Sequence, residues 1–337
     1  LAYVGPIELR LDKRARTWAV TQVLWVPREE AGEGLPIPTG SHVQPQRLTS
    51  SASGQAREYL YAHDPRDGSG FVVYMPRGGA WQPVAAVTVV GKISGDIDRS
   101  GVITEAPSGE FEGLNAYDGV FWSDGNGDGV AQRGECVIVP TKDPGEPNNP
   151  RKRGSAGLPL GDGWGGRIGS DLVFYANGIV RYAPVRFTDD GAPVYAPEGM
   201  SPLGVDDHGD LVPVPEEHLL LCLSWKGYAR ATRLVGIDTR DGQVLWSYPN
   251  PYPGVHGSHN ATMPSPGLLI GPLKICGVAH VSEQVGRVFV MRGNLGQDFF
   301  MTTDGLYVGA MFEDGRLPGE PLPPKEELLK GAPMEGF

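Results

Sequence analysis

The sequence predicts an all-β fold of many short antiparallel strands, and three observations support this prediction. Segments of four to eight residues, rich in Val, Tyr, Phe and Trp, recur with nearly alternating polarity from "WAVTQVLWV" to "GLYVGAMFED". Helical periodicity is confined to "PPKEELLKG" near the end. Forty-nine glycines and 31 prolines are spread along 337 residues without a period, as expected for a chain with many tight turns.

The turns themselves favour a chain of hairpins. Asp-Gly and Asn-Gly tolerate the positive φ angles of tight hairpin turns, so each pair predicts two antiparallel neighbours joined directly. Asp-Gly occurs at 67–68, 118–119, 162–163, 190–191, 241–242, 304–305 and 314–315, and Asn-Gly at 177–178.

The spacing of the strand groups predicts a β-propeller, because a long meander must close or divide to protect its edges. Groups recur about every 45–60 residues, which favours about six or seven four-stranded blades, the last one completed by the N-terminal strand. We expect residues 1–315 to form a single propeller domain. Residues 316–337 are expected to be a Pro-rich tail, either a linker or an arm that docks on a neighbour.

One segment resembles a known repeat. In "LVGIDTRDGQVLW", residues 234–246, Asp238, Gly242 and Trp246 match the marked positions of the repeat of quinoprotein-type (PQQ-repeat) propellers, although Asp241 stands where Thr is usual. The resemblance implies a propeller in which Trp246 packs between neighbouring blades. It implies no cofactor, because the adjacent cysteines of PQQ enzymes are missing from the sequence.

Composition excludes some functions. A net charge of −11 disfavours nucleic acid as a partner, since phosphate binding needs a basic face. No apolar run has the length of a membrane span. Cys136, Cys222 and Cys276 are too few for a disulfide scaffold, and we expect free thiols, with a Cys222–Cys276 bridge as the alternative.

The most informative motif is "SDGNGDGVAQRGE", residues 123–135. Counted from Asp124, its oxygen-bearing groups occupy positions 1, 3, 5, 7, 9 and 12, and Gly129 occupies position 6. This spacing resembles the calcium loops of EF-hands and dockerins. The expected ligands are Asp124, Asn126, Asp128, the carbonyl of Val130, Gln132 through a water, and Glu135. The flanking segments are strand-like, so we predict that this calcium loop caps a β-hairpin.

A second, weaker calcium candidate is "GDIDRSGVITE", residues 95–105. Position 12 falls on Pro107, so the closing carboxylate is missing unless Glu105 or Glu110 supplies it. The candidate ligands are Asp96, Asp98, Ser100, Val102 and Thr104.

Evidence for catalysis is slight. His256 and His259 lie close together with Tyr252 around a long glycine-rich segment, and they are candidates for general acid–base chemistry. Hydrogen bonding of loop histidines to backbone is the simpler interpretation. His63 in "YAHDPRDG" is a weaker candidate of the same kind, expected in a turn.

The sequence therefore favours a secreted, calcium-stabilised propeller, extracellular or periplasmic, that acts as a binding or assembly module for carbohydrate or protein. Self-association into a homo-oligomer or filament through edge strands or the tail is possible. The alternative is an extracellular enzyme on the same scaffold, either a polysaccharide lyase or hydrolase or a quinoprotein-like dehydrogenase.

Overall fold

The structure, a computed structural model, is all-β. It describes residues 1–25, 34, 43–63, 70–97, 102–145, 155–160, 166–176, 180–203, 208–225, 231–248, 252–253, 267, 269, 271–294 and 296–311. Helix in this part of the chain is limited to three-residue 3-10 turns, such as Val90–Lys92 and Arg133–Glu135. None of these turns is long and apolar enough to cross a membrane.

The described residues up to Pro202 form one compact unit with three antiparallel sheets. The first sheet contains β1 (Ala2–Val4), β2 (Ile7–Asp12) and β3 (Thr17–Val23). The next strands are β4 (Gln44–Ser50), β5 (Arg57–His63), β6 (Gly70–Arg77), β7 (Ala80–Val89), β8 (Asp96–Ile97), β9 (Ile103–Glu105), β10 (Gly119–Ser123) and β11 (Cys136–Val139). Six of them form the second sheet in the order β11-β10-β7-β6-β5-β4, while β8 and β9 form a separate two-stranded ribbon. The third sheet is the meander β12 (Arg167–Ile168), β13 (Phe174–Ala176), β14 (Val180–Phe187) and β15 (Pro193–Pro202).

The described residues from Leu203 onward form a second compact unit with two sheets. The fourth sheet contains β16 (His208–Val214), β17 (Leu219–Trp225), β18 (Ala231–Asp238) and β19 (Val244–Ser247), and β20 (Tyr252–Pro253) pairs with β18. The fifth contains β21 (Pro272–Ser282), β22 (Gly286–Gly293), β23 (Asp298–Thr302) and β24 (Tyr307–Met311).

In strand topology this is a five-blade β-propeller arrangement, so the predicted number of six or seven blades is wrong. The reason lies between β7 and β10. The chain leaves the second sheet after Val89, forms the β8–β9 ribbon, and returns to place β10 beside β7. Two strand groups that the sequence separates therefore share one six-stranded sheet. The last sheet has four strands of its own, and β1 pairs with β2. The single propeller domain over residues 1–315 stays a prediction, and residues 316–337 lie outside the described part.

Several predicted hairpins are confirmed. Asp-Gly pairs at 190–191, 241–242 and 304–305 join β14 to β15, β18 to β19 and β23 to β24, each with a positive-φ glycine. The prediction at 118–119 is wrong, because Gly119 begins β10 and pairs with Val89 of β7 and Val139 of β11. There the Asp118 carboxylate accepts hydrogen bonds from the backbone N–H groups of Asn115 and Thr141.

Large aromatic and aliphatic side chains fill the cores. In the first unit Trp122, Tyr74 and Leu60 belong to one buried cluster on the second sheet. A second aromatic group joins the second and third sheets, where the Phe71 and Phe174 rings lie 4.4 Å apart. In the second unit the buried cluster includes leucines from β17 and large apolar residues from β21 to β23, such as Phe289 and Met301.

Trp246 links two neighbouring sheets of the second unit. Its indole Nε1 donates to the Thr303 carbonyl at 3.0 Å and so links the fourth sheet to the fifth. The ring lies against two glycines, since a Cβ at Gly236 would be 2.3 Å from Nε1 and one at Gly305 would be 2.7 Å from Cε3. A side chain at either position would displace the indole.

Candidate functional site

The candidate calcium loop joins β10 to β11, and its flanks are strands. Trp122 and Cys136 are the last paired residues before the loop, and the twelve positions from Asp124 to Glu135 connect the end of β10 to the start of β11. This confirms the prediction that the loop caps a β-hairpin. An EF-hand would place helices on both sides.

The first half of the loop is a ladder of side-chain-to-backbone hydrogen bonds. Asp124 Oδ1 accepts from the Gly127 N–H at 2.9 Å, and Asn126 Oδ1 accepts from the Asp128 N–H at 2.9 Å. Asp128 Oδ1 accepts from the Val130 N–H at 2.8 Å, and this bond is the largest cause of a lowered pKa for the Asp128 carboxyl. The alternating side chains therefore turn toward the loop's own backbone, which coils the segment tightly.

Glu135 closes the loop from its other end. Its Oε1 accepts from the backbone N–H groups of Gly125 at 2.9 Å and Asn126 at 3.2 Å, and its Oε2 accepts from the Trp122 indole at 3.1 Å. The carboxylate at position 12 thus lies over positions 2 and 3.

The middle positions converge through Gln132. Its Nε2 donates to Asp128 Oδ2 at 2.8 Å, and its Oε1 accepts from Asn126 Nδ2 at 3.2 Å. Asn126 Nδ2 also donates to Asp128 Oδ2 at 3.0 Å. Hydrogen bonds therefore bring the side chains at positions 3, 5 and 9 of the loop together.

Three side chains from outside the motif hold the loop in place. Arg77 Nη1 lies 2.5 Å from Asp124 Oδ2, where the aspartate side chain is fully buried. Gln82 Nε2 donates to the Gly127 carbonyl at 2.9 Å, and Glu110 Oε2 accepts from the Arg133 N–H at 2.8 Å. The sequence motif gave no signal for these partners, because they lie 47, 45 and 23 residues away along the chain.

The donor set fits a hard divalent cation by its chemistry. Carboxylate, amide and carbonyl oxygens are the ligands that calcium prefers, and the loop supplies all three kinds. Within the described ranges, no three His, Cys, Asp or Glu side chains are grouped closely enough to hold a metal. Asp124 Oδ2 is paired with Arg77, so a cation that binds Asp124 has to use Oδ1 or displace the guanidinium.

The second candidate forms a ribbon. Asp96 of β8 pairs with Glu105 of β9, and the Thr104 hydroxyl donates to Asp96 Oδ2 at 2.5 Å. Asp98 and Ser100 lie outside the described residues, while Val102 is half-buried beside the ribbon. Glu110, a possible closing carboxylate for this candidate, hydrogen-bonds the first loop instead.

Most of the segment that contains the catalytic candidates lies outside the described residues. His256 and His259 lie outside the described residues, and of Tyr252 only its backbone pairing in β20 is described. The three cysteines are free, and burial raises the pKa of the Cys136 thiol to about 12. His63 was expected in a turn, but it is the last residue of β5 and is buried. Trp81 packs against the core of the second sheet with the Arg47 guanidinium over its ring.

Comparison of the chain with models of known protein families and with curated proteins gives no match. Any functional assignment therefore depends on the geometry described above.

Proposed function

We propose that this chain is a secreted, calcium-stabilised β-propeller that serves as a binding or assembly module. The observation that supports this most strongly is the 124–135 loop. Its oxygen-bearing side chains form hydrogen bonds within the loop, and the Glu135 carboxylate at position 12 accepts a hydrogen bond from the backbone at the beginning of the loop.

In the proposed site Asp124, Asn126, Asp128 and Glu135 supply side-chain oxygens, Val130 supplies its carbonyl, and Gln132 acts through a water. A bound calcium ion supplies positive charge to the carboxylates of Asp128 and Glu135 and to that of Asp124, which is already paired with Arg77. Calcium binding and the local order of the hairpin are therefore coupled. Because the loop caps strands, it lacks the paired helices that calcium sensors open, and a stabilising role follows.

The partner surface is proposed to be an exposed sheet edge. In the described residues β3 is the outer strand of the first sheet, and its Trp18, Val20 and Val23 side chains are exposed. An extended peptide could pair with such an edge through main-chain hydrogen bonds. Carbohydrate is the other proposed class of partner, and it would use exposed aromatic side chains.

The calcium proposal is tested by isothermal titration calorimetry with the chelator-treated full chain. We expect one calcium site with a dissociation constant on the order of 10⁻⁴–10⁻³ M or lower, the range of extracellular modules. Asp128→Ala should abolish it, whereas Glu198→Gln, a matched change at an exposed position on β15, should leave it unchanged. Equal calcium binding by Asp128→Ala and the parent chain would show that the loop is not the site.

The binding role is tested separately. The calcium-loaded chain is applied to immobilised acidic and neutral glycans, and its self-association is measured by analytical ultracentrifugation. Retention on a glycan, or self-association that Trp18→Ser abolishes, supports a module. Monomeric behaviour without glycan retention, together with turnover of a polysaccharide, would favour the enzyme alternative.

A further inference from the structure

The end of the β2–β3 hairpin in the first sheet is uncovered on both of its faces. Every residue from 10 to 21 is exposed, and this stretch includes the turn and the adjoining parts of both strands. Successive side chains of a strand point to opposite faces, so exposure of all of them leaves both faces open to solvent. The hairpin contains none of the residues of the calcium loop.

One face of the first sheet is apolar. Leu11 pairs with Trp18 on β3, and side chains that pair across two strands lie on the same face. The apolar side chains of this face, which we call the outer apolar face, are Val4, Ile7, Leu9, Leu11, Trp18, Val20 and Val23. Five of them are between 47 and 67 % exposed, and Trp18 is the most exposed. A contiguous exposed apolar surface of this kind marks an interaction site.

The opposite face of the same sheet packs against the rest of the first unit. The Glu8 carboxylate is buried and pairs with Arg47 of β4, whose Nε lies 2.9 Å from Glu8 Oε2. Tyr3, the cross-strand partner of Glu8, packs against the core of the second sheet. The outer apolar face therefore points away from the second sheet.

The turn of the hairpin carries positive charge. Asp12 Oδ1 accepts hydrogen bonds from the N–H groups of Arg14 at 2.9 Å and Ala15 at 2.8 Å, and these bonds order the turn. Residues 10–21 contain one acidic side chain and four basic ones, in a chain whose net charge is −11. The basic side chains are those of Arg10, Lys13, Arg14 and Arg16. None of these four makes an ion pair with another described residue.

We propose that this hairpin docks on the surface of an anionic lipid membrane, with the outer apolar face against the acyl boundary and the basic side chains of the turn against headgroup phosphates. Apolar and aromatic side chains beside Lys and Arg are typical of segments that lie in a membrane interface without spanning it. Trp is enriched at this interface because its ring is amphipathic. The net negative charge of the chain opposes docking only weakly, because physiological salt screens charges beyond about 8 Å.

Size and charge favour a lipid surface over a second copy of the chain. The outer apolar face has seven side chains, whereas a stable protein interface uses about 20–30 residues on each side. Two copies that met through this hairpin would also bring turns of the same positive charge together. An anionic membrane offers negative headgroups at any position, so it can neutralise several basic side chains that have no fixed partner. This surface differs from the main-chain edge of β3, which is proposed above for pairing with a peptide.

The experiment sediments the full chain with vesicles of phosphatidylcholine and phosphatidylglycerol in equal parts, and with vesicles of phosphatidylcholine alone. Chelator is present throughout, so calcium cannot bridge the protein to the lipid and the result does not depend on the proposed calcium site. We expect at least about tenfold stronger binding to the anionic vesicles, weakened by added salt. Absence of binding to the anionic vesicles, or equal binding to the two compositions, would overturn the proposal.

Charge variants test the turn. Lys13→Gln combined with Arg14→Gln should weaken binding to the anionic vesicles by more than about tenfold, because each basic side chain near the surface contributes to binding. The matched control is Lys274→Gln combined with Arg186→Gln, at exposed positions on β21 and β14, and it should leave binding unchanged. Equal effects of the two double variants would contradict docking through this hairpin.

Apolar variants test the outer apolar face. Trp18→Ser should weaken vesicle binding by about tenfold or more, while Leu245→Ser, at an exposed position on β19, should have no effect. Both side chains are exposed, so the melting temperatures should stay close to that of the parent chain. Trp18→Phe keeps an apolar ring and should retain most of the binding, but it should lose most of the quenching of tryptophan fluorescence by brominated lipid.

Two results with Trp18→Ser would overturn the proposal. Vesicle binding that this change leaves unaltered would show a contact through charge alone. Self-association in analytical ultracentrifugation that this change abolishes, in a chain that does not bind vesicles, would assign the outer apolar face to a second copy.

Discussion

At the scale of single residues, Arg77 forms ion pairs with two aspartates from different parts of the first unit. Its guanidinium lies 2.5 Å from Asp124 Oδ2 through Nη1 and 2.5 Å from Asp190 Oδ2 through Nη2. Asp124 is fully buried at its side chain, whereas Asp190 is half exposed. The buried pair depends on both partners, because an unpaired buried charge is strongly destabilising.

Arg77→Gln should therefore lower the free energy of unfolding at pH 7, without calcium, by about 3 kcal/mol. Urea unfolding with and without chelator measures this change. Asp190→Asn is the matched control. It should lower the free energy of unfolding much less, because the Asp190 carboxylate is half exposed and its ion pair with Arg77 is screened by water. Equal effects of the two changes would contradict this account.

The same bridge predicts a pH dependence. Partial burial acts to raise the pKa of Asp190, but hydrogen bonds from Thr188 and Arg77 outweigh it and hold the pKa below its ordinary value of 3.8. Because the folded pKa is the lower one, the stabilisation is present above about pH 4 and is lost as the pH falls through the folded value. Unfolding free energies measured from pH 6 to pH 2.5 should fall less steeply in Arg77→Gln than in the parent chain.

At the scale of elements, contacts from loops and strand ends link one sheet to the next. In the second unit the buried Asp210 carboxylate on β16 accepts a 2.6 Å hydrogen bond from the Ile275 N–H on β21. Trp246 makes a second link between these sheets through the Thr303 carbonyl. Both links join residues more than fifty positions apart along the chain.

Asp210→Ala should lower the free energy of unfolding by about 1–3 kcal/mol, because the buried Ile275 N–H loses its acceptor. Asp210→Asn keeps an acceptor oxygen and should cost less. Chemical denaturation of the two variants checks the order, and a larger loss in Asp210→Asn would contradict the hydrogen-bond explanation.

Gly236→Ala should lower the free energy of unfolding by about 1–3 kcal/mol, since the new methyl group meets the Trp246 indole. Trp246→Phe vacates part of that space, so the double variant should lose less than the sum of the two single changes. Additive losses in this double-mutant cycle would show that the glycine and the indole do not share the space.

The limits of sequence reasoning are visible in these elements. The 124–135 loop was predictable because its hydrogen bonds join residues within the loop itself, at the spacing of the motif. The hairpins at 190–191 and 241–242 followed from local turn chemistry. The pairing of β7 with β10 was not predictable, because a separate ribbon intervenes and many β-strands could compete for that edge.

At the scale of the whole molecule, the two compact units differ in what they carry. The first contains the candidate calcium loop, and the second contains the sheets linked by Asp210 and Trp246. A ligand that binds only the folded form of one unit stabilises that unit by an amount that grows with the ligand concentration.

Calorimetric melting should consequently show a calcium-dependent transition that belongs to the first unit. At a calcium concentration of one hundred times Kd, its stabilisation should be about 2.7 kcal/mol. Trp246→Phe should lower the second unit's transition without changing the calcium response. A calcium shift that is absent, or one that Asp128→Ala retains, would exclude this loop as the cause.

The two ion pairs of Arg77 couple two segments of the first unit. One guanidinium joins the β10–β11 connector to the β14–β15 turn, so a cation that draws Asp124 away would loosen its hold at Asp190 as well. Deuterium uptake at Gly191 and Ala192 would then report ion occupancy in a segment that has no ligand atom of its own. Backbone exchange in the turn after β14 would therefore depend on whether the ion is bound to the distant loop.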